Sequence, residues 1–560
     1  MGIHRKEEIE KENKNFSYKI RRKTFFTITA IIVLLFVFFQ FMGNTAFFKY
    51  PDPTVTLEQG MYDTYLEQLS AQMEQAYRYE TDDKPEVLVV SENFASDNME
   101  ISSVLETLEG MKILHQNISY EEAKAFEIEE LQDNVKAVVV CGDVSGTALT
   151  RAQLDAFIDR GVAIIYTQMP EAEAIEEQNL TELFGIYQMK GLLEQKGIRF
   201  IDDVFFGKQL ELYDLEYTLE EVKLEPTCKV YGYGLKGRNS EEIDRNEDFP
   251  PLLWRNTIDG TKVFVVNGKF FEENKGYGIL TAIISDIYED FLYPIVNASV
   301  MIYDSIPYDG EANEELMMEL YSRNSLQFQT DILMPNIVNI CKRLDVIPTF
   351  YTSAESKLPE MDYFERSVLD LGGELIYEES AQVKAIDITN PEGRIWDQCP
   401  NLPVIVTGFE KNDDDMVKLY SIGSTFGVVI HRVDISKIIN ADTADVDWVT
   451  VSKDYSEYIA FYQEDFAMLN SMTASDAAIR YMEYMIMQPK ITYGENVIEV
   501  KIENMPEKAS FVLRTEKEIK EVENGKFSEV RDGVYIIETS SDTIKIFVEE
   551  KANMQYQGTF

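Results

Sequence analysis

Between Thr24 and Gly43 the chain reads TFFTITAIIVLLFVFFQFMG, without one charged residue. At about 1.5 Å per helical residue such a run covers a hydrocarbon core of roughly 30 Å. Lys19, Arg21, Arg22 and Lys23 stand directly before it, with Arg5, Lys6, Lys11 and Lys14 further back. The next basic residues are Lys49 and Arg78. Lys and Arg collect on the cytoplasmic flank of a span, so the pattern predicts a single-pass cell-membrane anchor. The N-terminus is then cytoplasmic and the bulk of the chain extracytoplasmic. A removed signal peptide is the alternative, but its apolar core usually runs about 7–15 residues and ends at small side chains. Here the run is longer, and Asn44-Thr45-Ala46 leads into Phe47-Phe48. The layout expected is a cytoplasmic tail over 1–23, a transmembrane helix over 24–43 and a stalk or brace over 44–84. In the stalk, Tyr62, Tyr65, Leu66, Leu69, Met73 and Ala76 recur at helical spacing.

Beyond the anchor the pattern is α/β. Apolar runs at Glu86–Val90, Val135–Cys141, Val162–Tyr166 and Thr261–Asn267 alternate with amphipathic helical segments. Continuous apolar strands of this kind belong to a parallel sheet covered on both faces. Residues 85–292 therefore read as a doubly wound parallel α/β domain with an irregular insertion around 200–260. A second strand–helix series follows over 293–488, with strands at Ala298–Tyr303, Ile347–Tyr351, Leu375–Tyr377, Pro403–Thr407 and Gly427–His431. Its helices include Leu333–Arg343 and one near 472–487, and the series predicts a (β/α) barrel. Residues 489–560 alternate as short strands, an all-β domain of sandwich type.

The charge balance is 99 Asp and Glu against 52 Lys and Arg, a formal −47. Such a surface repels phosphate backbones, which excludes nucleic-acid partners and leaves neutral or cationic ones. Cys141, Cys228, Cys341 and Cys399 are far apart and form no C-x-x-C pair, so a zinc ribbon is excluded. One or two bridges or buried free thiols both fit that spacing. No phosphate-binding glycine loop follows a strand, so no cofactor is expected, and no G-x-S-x-G elbow occurs, which disfavours a serine hydrolase of that type.

The first domain resembles the glutamine-amidotransferase-like (flavodoxin-like) module found beside glycosidase and deacetylase domains. Its strand pattern and the segment Gly260–Phe291 carry the likeness. An active amidotransferase needs a Cys nucleophile at a strand-to-helix turn, with a His downstream. Cys141 ends a strand, but His115 precedes it and no His follows within the domain. The module is read as structural or ligand-binding.

The second domain resembles the polysaccharide deacetylase family. Ile302-Tyr303-Asp304-Ser305-Ile306-Pro307 stands where that family has T-F-D-D-G-P, and Pro348-Thr349-Phe350-Tyr351 where it has A-T-F-F. Leu371–Glu379 resembles its G-H-E-I-G-x-H segment, and Val428–Asp434 (VVIHRVD) its last strand. The resemblance implies a metal held by one Asp and two His, a second Asp as base and a late His as acid. Asp304 then matches the base and His431 the acid, while Ser305 replaces the metal-binding Asp. The two metal-binding His positions fall on or near Glu378 and Gln382. With only three histidines in the chain, His4 and His115 among them, a two-His site cannot be built in this domain.

Two readings follow for Asp304, Glu378 and Glu379: an oxygen-ligand site for a hard cation, or a vestige lining a sugar groove. Tyr303, Tyr308 and Trp396 adjoin the motif positions and are the candidates for stacking on sugar rings.

The whole arrangement resembles bacterial exopolysaccharide-modifying proteins of the kind found in Pel-type systems. The function this implies is to bind or guide a cell-surface polysaccharide beside a membrane polysaccharide synthase complex, with the deacetylase-like domain inactive. One alternative is a working carbohydrate esterase or glycosidase that uses a carboxylate pair such as Asp304 with Glu378. Another is a surface sensor or assembly scaffold that contacts proteins only.

Overall fold

The computed structural model describes residues 85–551, apart from 93–97, 127–130, 143–146, 202–203, 206–208, 237–245, 273, 309, 353–360, 378–404, 407 and 441–446. The expected tail, span and stalk lie outside the described residues, as do Glu378, Glu379, Gln382, Trp396 and Cys399. Among the described residues no helix is long and apolar enough to cross a membrane. The described chain is mixed α/β, with several sheets.

The first module opens with β1 (Val87–Ser91), α1 (Met99–Gly110), β2 (His115–Ser119), β3 (Ala137–Val140), α2 (Arg151–Asp159) and β4 (Ala163–Tyr166). The strands VLVVS, AVVV and AIIY are buried along their whole length, as β-branched runs in a covered parallel sheet should be. Asn98 starts α1 by accepting hydrogen bonds from the N–H groups of Glu100 and Ile101. Thr150 and Gln153 cap α2 reciprocally.

Then come β5 (Ile186–Gln195), β6 (Gly197–Phe200), β7 (Glu211–Leu212), β8 (Tyr217–Leu224), β9 (Lys229–Leu235), β10 (Pro251–Ile258), β11 (Thr261–Val266) and the helix α3 (Gly276–Ile287). The main sheet runs β2-β1-β3-β4-β11-β10-β9-β6-β7. It is parallel from β2 to β11 and antiparallel beyond. Strands β5 and β8 pair apart from it as a two-stranded arm. The expectation of an irregular insertion over 200–260 is corrected here, since that stretch supplies β7 to β10. Glycines at close approaches hide the strands from a hydropathy reading. A Cβ on Gly232 would stand 2.8 Å from the Phe200 ring, and one on Gly234 2.8 Å from Leu219.

The second module begins after β12 (Asp290–Ile295). It comprises β13 (Ala298–Asp304), α4 (Met334–Leu344), β14 (Pro348–Thr352), β15 (Glu374–Tyr377), β16 (Ile405–Val406), α5 (Asp413–Phe426), β17 (Val428–Asp434), α6 (Trp448–Asp465), β18 (Ser471–Met472) and α7 (Ala474–Ile486). Its strands lie in the order β15-β14-β13-β17-β16, all parallel, with short β18 beside β13 at Ser299 and Val300. Among the described residues this sheet is open, which corrects the expected barrel. Alternating strands and helices read alike for either form. Closure depends on strand tilt and stagger, which local patterning does not encode.

The last module holds β19 (Gln488–Tyr493), β20 (Val497–Glu503), β21 (Ala509–Thr515), β22 (Glu518–Glu523), β23 (Gly525–Arg531), β24 (Val534–Thr539) and β25 (Thr543–Glu549). They form two antiparallel sheets, β19-β20-β25-β22 and β12-β21-β24-β23. Strand β12 thus joins the C-terminal module, in register from Asp290 opposite Thr515 to Ile295 opposite Ser510.

A candidate site at the edge of the second parallel sheet

Strands β13 and β17 run side by side in register, Ile302 opposite Arg432 and Asp304 opposite Asp434. Register partners in a parallel pair point to the same face, so Asp304, Arg432 and Asp434 gather at the carboxyl end of one face. Carboxyl ends of strands are where open α/β sheets bind ligands.

Asp304 is almost buried, 9% exposed. Its Oδ2 accepts from Arg432 Nε at 3.1 Å and also from Nη2. Its Oδ1 accepts from the N–H of Ser305 at 2.8 Å. Both carboxylate oxygens are therefore engaged, and the guanidinium caps one side of the carboxylate. A divalent cation approaching this carboxylate meets a fixed positive charge. Asp434 takes the N–H of Ser436 at 2.9 Å and is half-buried at the same edge.

The turn after β13 is held from both sides. Ser305 adopts the left-handed region (φ 61°), and the Ile306–Pro307 peptide is cis. The fully buried Gln329 clamps Tyr308, its Oε1 accepting from Tyr308 N–H at 2.6 Å and its Nε2 donating to the Tyr308 carbonyl at 3.0 Å. Asn440, exposed, donates to the Tyr308 hydroxyl at 2.6 Å. The rim thus offers the half-buried Tyr308 ring beside the Asn440 amide, a set that suits a hydroxylated ring ligand.

Other expected site residues are placed elsewhere. His431 neighbours Arg432 in sequence but points to the opposite face, where it is fully buried among Tyr455, Tyr458 and Tyr462 of α6. Burial drops its pKa from 6.5 to about 3. A neutral imidazole behind the sheet cannot hand a proton to a group held at Asp304, which corrects the assignment of His431 as a late acid or a binding residue. Tyr303 is also fully buried, stacked on Phe350 with ring centroids 5.0 Å apart and its hydroxyl 3.4 Å from Cys341 Sγ. It is core, and among the described candidates Tyr308 is the aromatic at the rim.

Sequence reasoning passed over Arg432 and Asp434. Their position two residues apart on the strand that also carries His431 is the signal that could have found them, since alternate residues share a face. Glu378 follows directly on β15, whose last residue is Tyr377, but it and Glu379 lie outside the described residues. Among the described residues no three His, Cys, Asp or Glu converge as a metal-binding group would.

In the first module, Cys141 follows β3 and is fully buried. Burial, then the neighbouring Glu100, push its thiol well above the ordinary range. Glu100 is engaged with Gly142 N–H at 3.0 Å and the Thr167 hydroxyl at 2.5 Å. His115 starts β2, level with Ala137 at the start of β3, so it and Cys141 lie toward opposite ends of the sheet. No thiolate–imidazole pair forms between them. Cys141, Cys228 and Cys341 are free thiols.

A family described as an uncharacterised protein conserved in bacteria (DUF2194) has a model that matches residues 394–536. That span takes in the later part of the second module and most of the β module. No curated protein matches the chain. Among solved structures, the cytoplasmic protein STM1381 from Salmonella typhimurium LT2 is similar at 14% identity and a TM-score of 0.27. The match covers 36% of this chain and 98% of that one. A likeness of that size does not bear on fold or function.

Proposed function

We propose that this is a membrane-anchored extracytoplasmic protein that binds or guides a cell-surface polysaccharide during exopolysaccharide production, without removing acetyl groups. The kinships of the first module to amidotransferase-like domains and of the second to polysaccharide deacetylases belong to this reading. So does a place beside a membrane synthase complex. The observation that carries it is the Arg432–Asp304 pair, which satisfies at the sheet edge the carboxylate a deacetylase would need free as its base. With the guanidinium in place, Asp304 is held in an ion pair instead of standing free as a base or a metal ligand. The Tyr308 and Asn440 rim supplies stacking and hydrogen-bonding groups without a reactive centre.

A second reading is favoured by one observation. Asp304 and Asp434 are register partners on adjacent strands, which sets a carboxylate pair near the spacing of about 5–10 Å used by glycosidases. Incubating full-length protein with acetylated glycans tests both. Retention on the glycan with neither acetate nor shortened chains released supports binding. Shortened chains that vanish in Asp434→Asn support the glycosidase. Acetate release contradicts the main proposal.

A further inference from the structure

Away from that edge, β4 and β11 end in the turns Gln168–Met169 and Asn267–Gly268. These turns, the β5–β8 arm and Val417 of α5 together line a cleft of about 780 Å³. That volume falls in the range of roughly 300–1,000 Å³ typical of small-molecule sites. Its wall is rigidly tied. Asn267 Nδ2 donates to the carbonyls of Glu220 and Pro251, both at 2.9 Å, and its Oδ1 accepts from the N–H of Glu220 at 3.0 Å. Gly268 turns at φ 117°, where a Cβ would meet Leu219 and Phe270 at 3.0 Å.

Two acceptors on this wall have nothing to accept. Gln168 Oε1 and Glu220 Oε2 receive no hydrogen bond within the protein and have no accessible surface as they stand, so a donor in the cleft reaches them once their half-buried side chains rotate. An unmade bond at a buried acceptor destabilises a folded protein, so a pair on one cleft calls for donors from outside. The charge around them is mostly negative. Glu171, Glu173 and Glu216 also line the cleft, Glu216 with Lys196 3.8 Å away, while the two lysines of the lining are committed, Lys269 to Glu272 at 2.7 Å and Lys275 to Asp414 at 2.5 Å. Met169, Leu192, Leu215 and Phe270 supply apolar wall. Burial raises the Glu220 carboxyl above its ordinary range, consistent with a group that lacks a donor. An occupant should carry several N–H or O–H donors, a positive charge and a ring face.

We propose that this cleft binds an ammonium-bearing sugar, a hexosamine unit whose donors meet Glu220 and Gln168. Naming the ligand as a sugar rests on the glycan-binding reading above. The site itself is separate from the Asp304 edge, so the first module holds the basic units of a polysaccharide while the second offers a neutral rim.

Calorimetric titration of the full-length protein with a β-1,4-linked glucosamine hexamer and its N-acetylated counterpart tests this. The free amine should bind at least roughly tenfold more tightly, the usual worth of one charge-assisted hydrogen bond. Glu220→Gln, nearly isosteric, should weaken the amine hexamer by roughly tenfold or more, and Gln168→Leu should weaken it less. A thermal melt on each variant checks folding. Wild-type binding that neither folded variant weakens, or equal affinity for the two hexamers, overturns the cleft assignment and leaves glycan binding intact. Binding of neither hexamer, nor of any acetylated glycan, removes both.

Discussion

Arg432 and Asp304 form a pair with side chains only 14% and 13% exposed. Pairs this deep are weak evidence for net stability, because desolvation consumes most of the attraction, but breaking one side strands a buried charge. Arg432→Leu should therefore destabilise by about 3–5 kcal/mol in urea unfolding. Asp304→Asn combined with Arg432→Leu should recover a good part of that loss. Equal losses for the single and double variants would mean that the two side chains are not coupled. His431 supplies a second residue-scale prediction, with a definite sign. Unfolded, its imidazole takes a proton near the ordinary 6.5; folded, it does so only near 3. Between those values the unfolded state binds more protons, so stability is present above about pH 6.5 and drains as pH falls toward 3. Urea unfolding at pH 7.5 and 4.5 should show His431→Leu losing less stability on acidification than the parent. His115, also lowered by burial, persists in both proteins and cancels from the comparison. An unchanged pH slope would mean that the ring is not buried in its neutral form.

Elements were legible where burial is continuous and hidden where packing is irregular. The runs VLVVS, AVVV and AIIY could hardly be anything but covered strands, and Val497–Glu503 alternates buried and exposed as its letters do. Helix α6 went unread. Its segment WVTVSKDYSEYIAFYQED mixes β-branched and aromatic residues, which argue for strand, and only the buried face of Trp448, Tyr455, Ile459 and Tyr462 shows the helix. The candidate site was legible in part. Asp304, Ser305 and Tyr308 follow from the motif positions, but the guanidinium that closes on Asp304 comes from a strand far along the chain, and register is a tertiary fact. Helix ends permit a sharper test. Gly427 (φ 62°) closes α5 through its N–H to the Gly423 carbonyl, and a Cβ there would lie 2.5 Å from Ile295 Cβ. Gly161 has a similar φ of 71° with nothing within 4 Å. Gly161→Ala should cost about 1–2 kcal/mol, the left-handed penalty alone. Gly427→Ala should cost several kcal/mol more, because β12 must also move. Comparable melting temperatures for the two variants would mean that the α5–β12 contact yields easily.

At the scale of the whole molecule, β12 makes the modules interdependent. It leaves the first α/β module, pairs along its full length with β21, and leads directly into β13, the strand that carries Asp304. A chain ending at Met487 keeps every residue of the sheet edge yet strips β12 of its partner and bares Phe291, Leu292, Tyr293 and Ile295, all buried in the intact protein. Such a chain should lose solubility and its cooperative melt; a soluble chain with an unshifted transition would show that the β module is an independent appendage. The acidity of the chain, −47 overall, repels anionic surfaces and is compatible with the basic or neutral glycan proposed. Proton NMR of a partly acetylated glucosamine oligomer, with full-length protein and added zinc, addresses holding and hydrolysis together. Broadened sugar resonances with no growth of the free acetate line are the expected result. An acetate signal that rises with time, and disappears in Asp304→Asn, would contradict a glycan-holding protein whose would-be catalytic base is locked to Arg432.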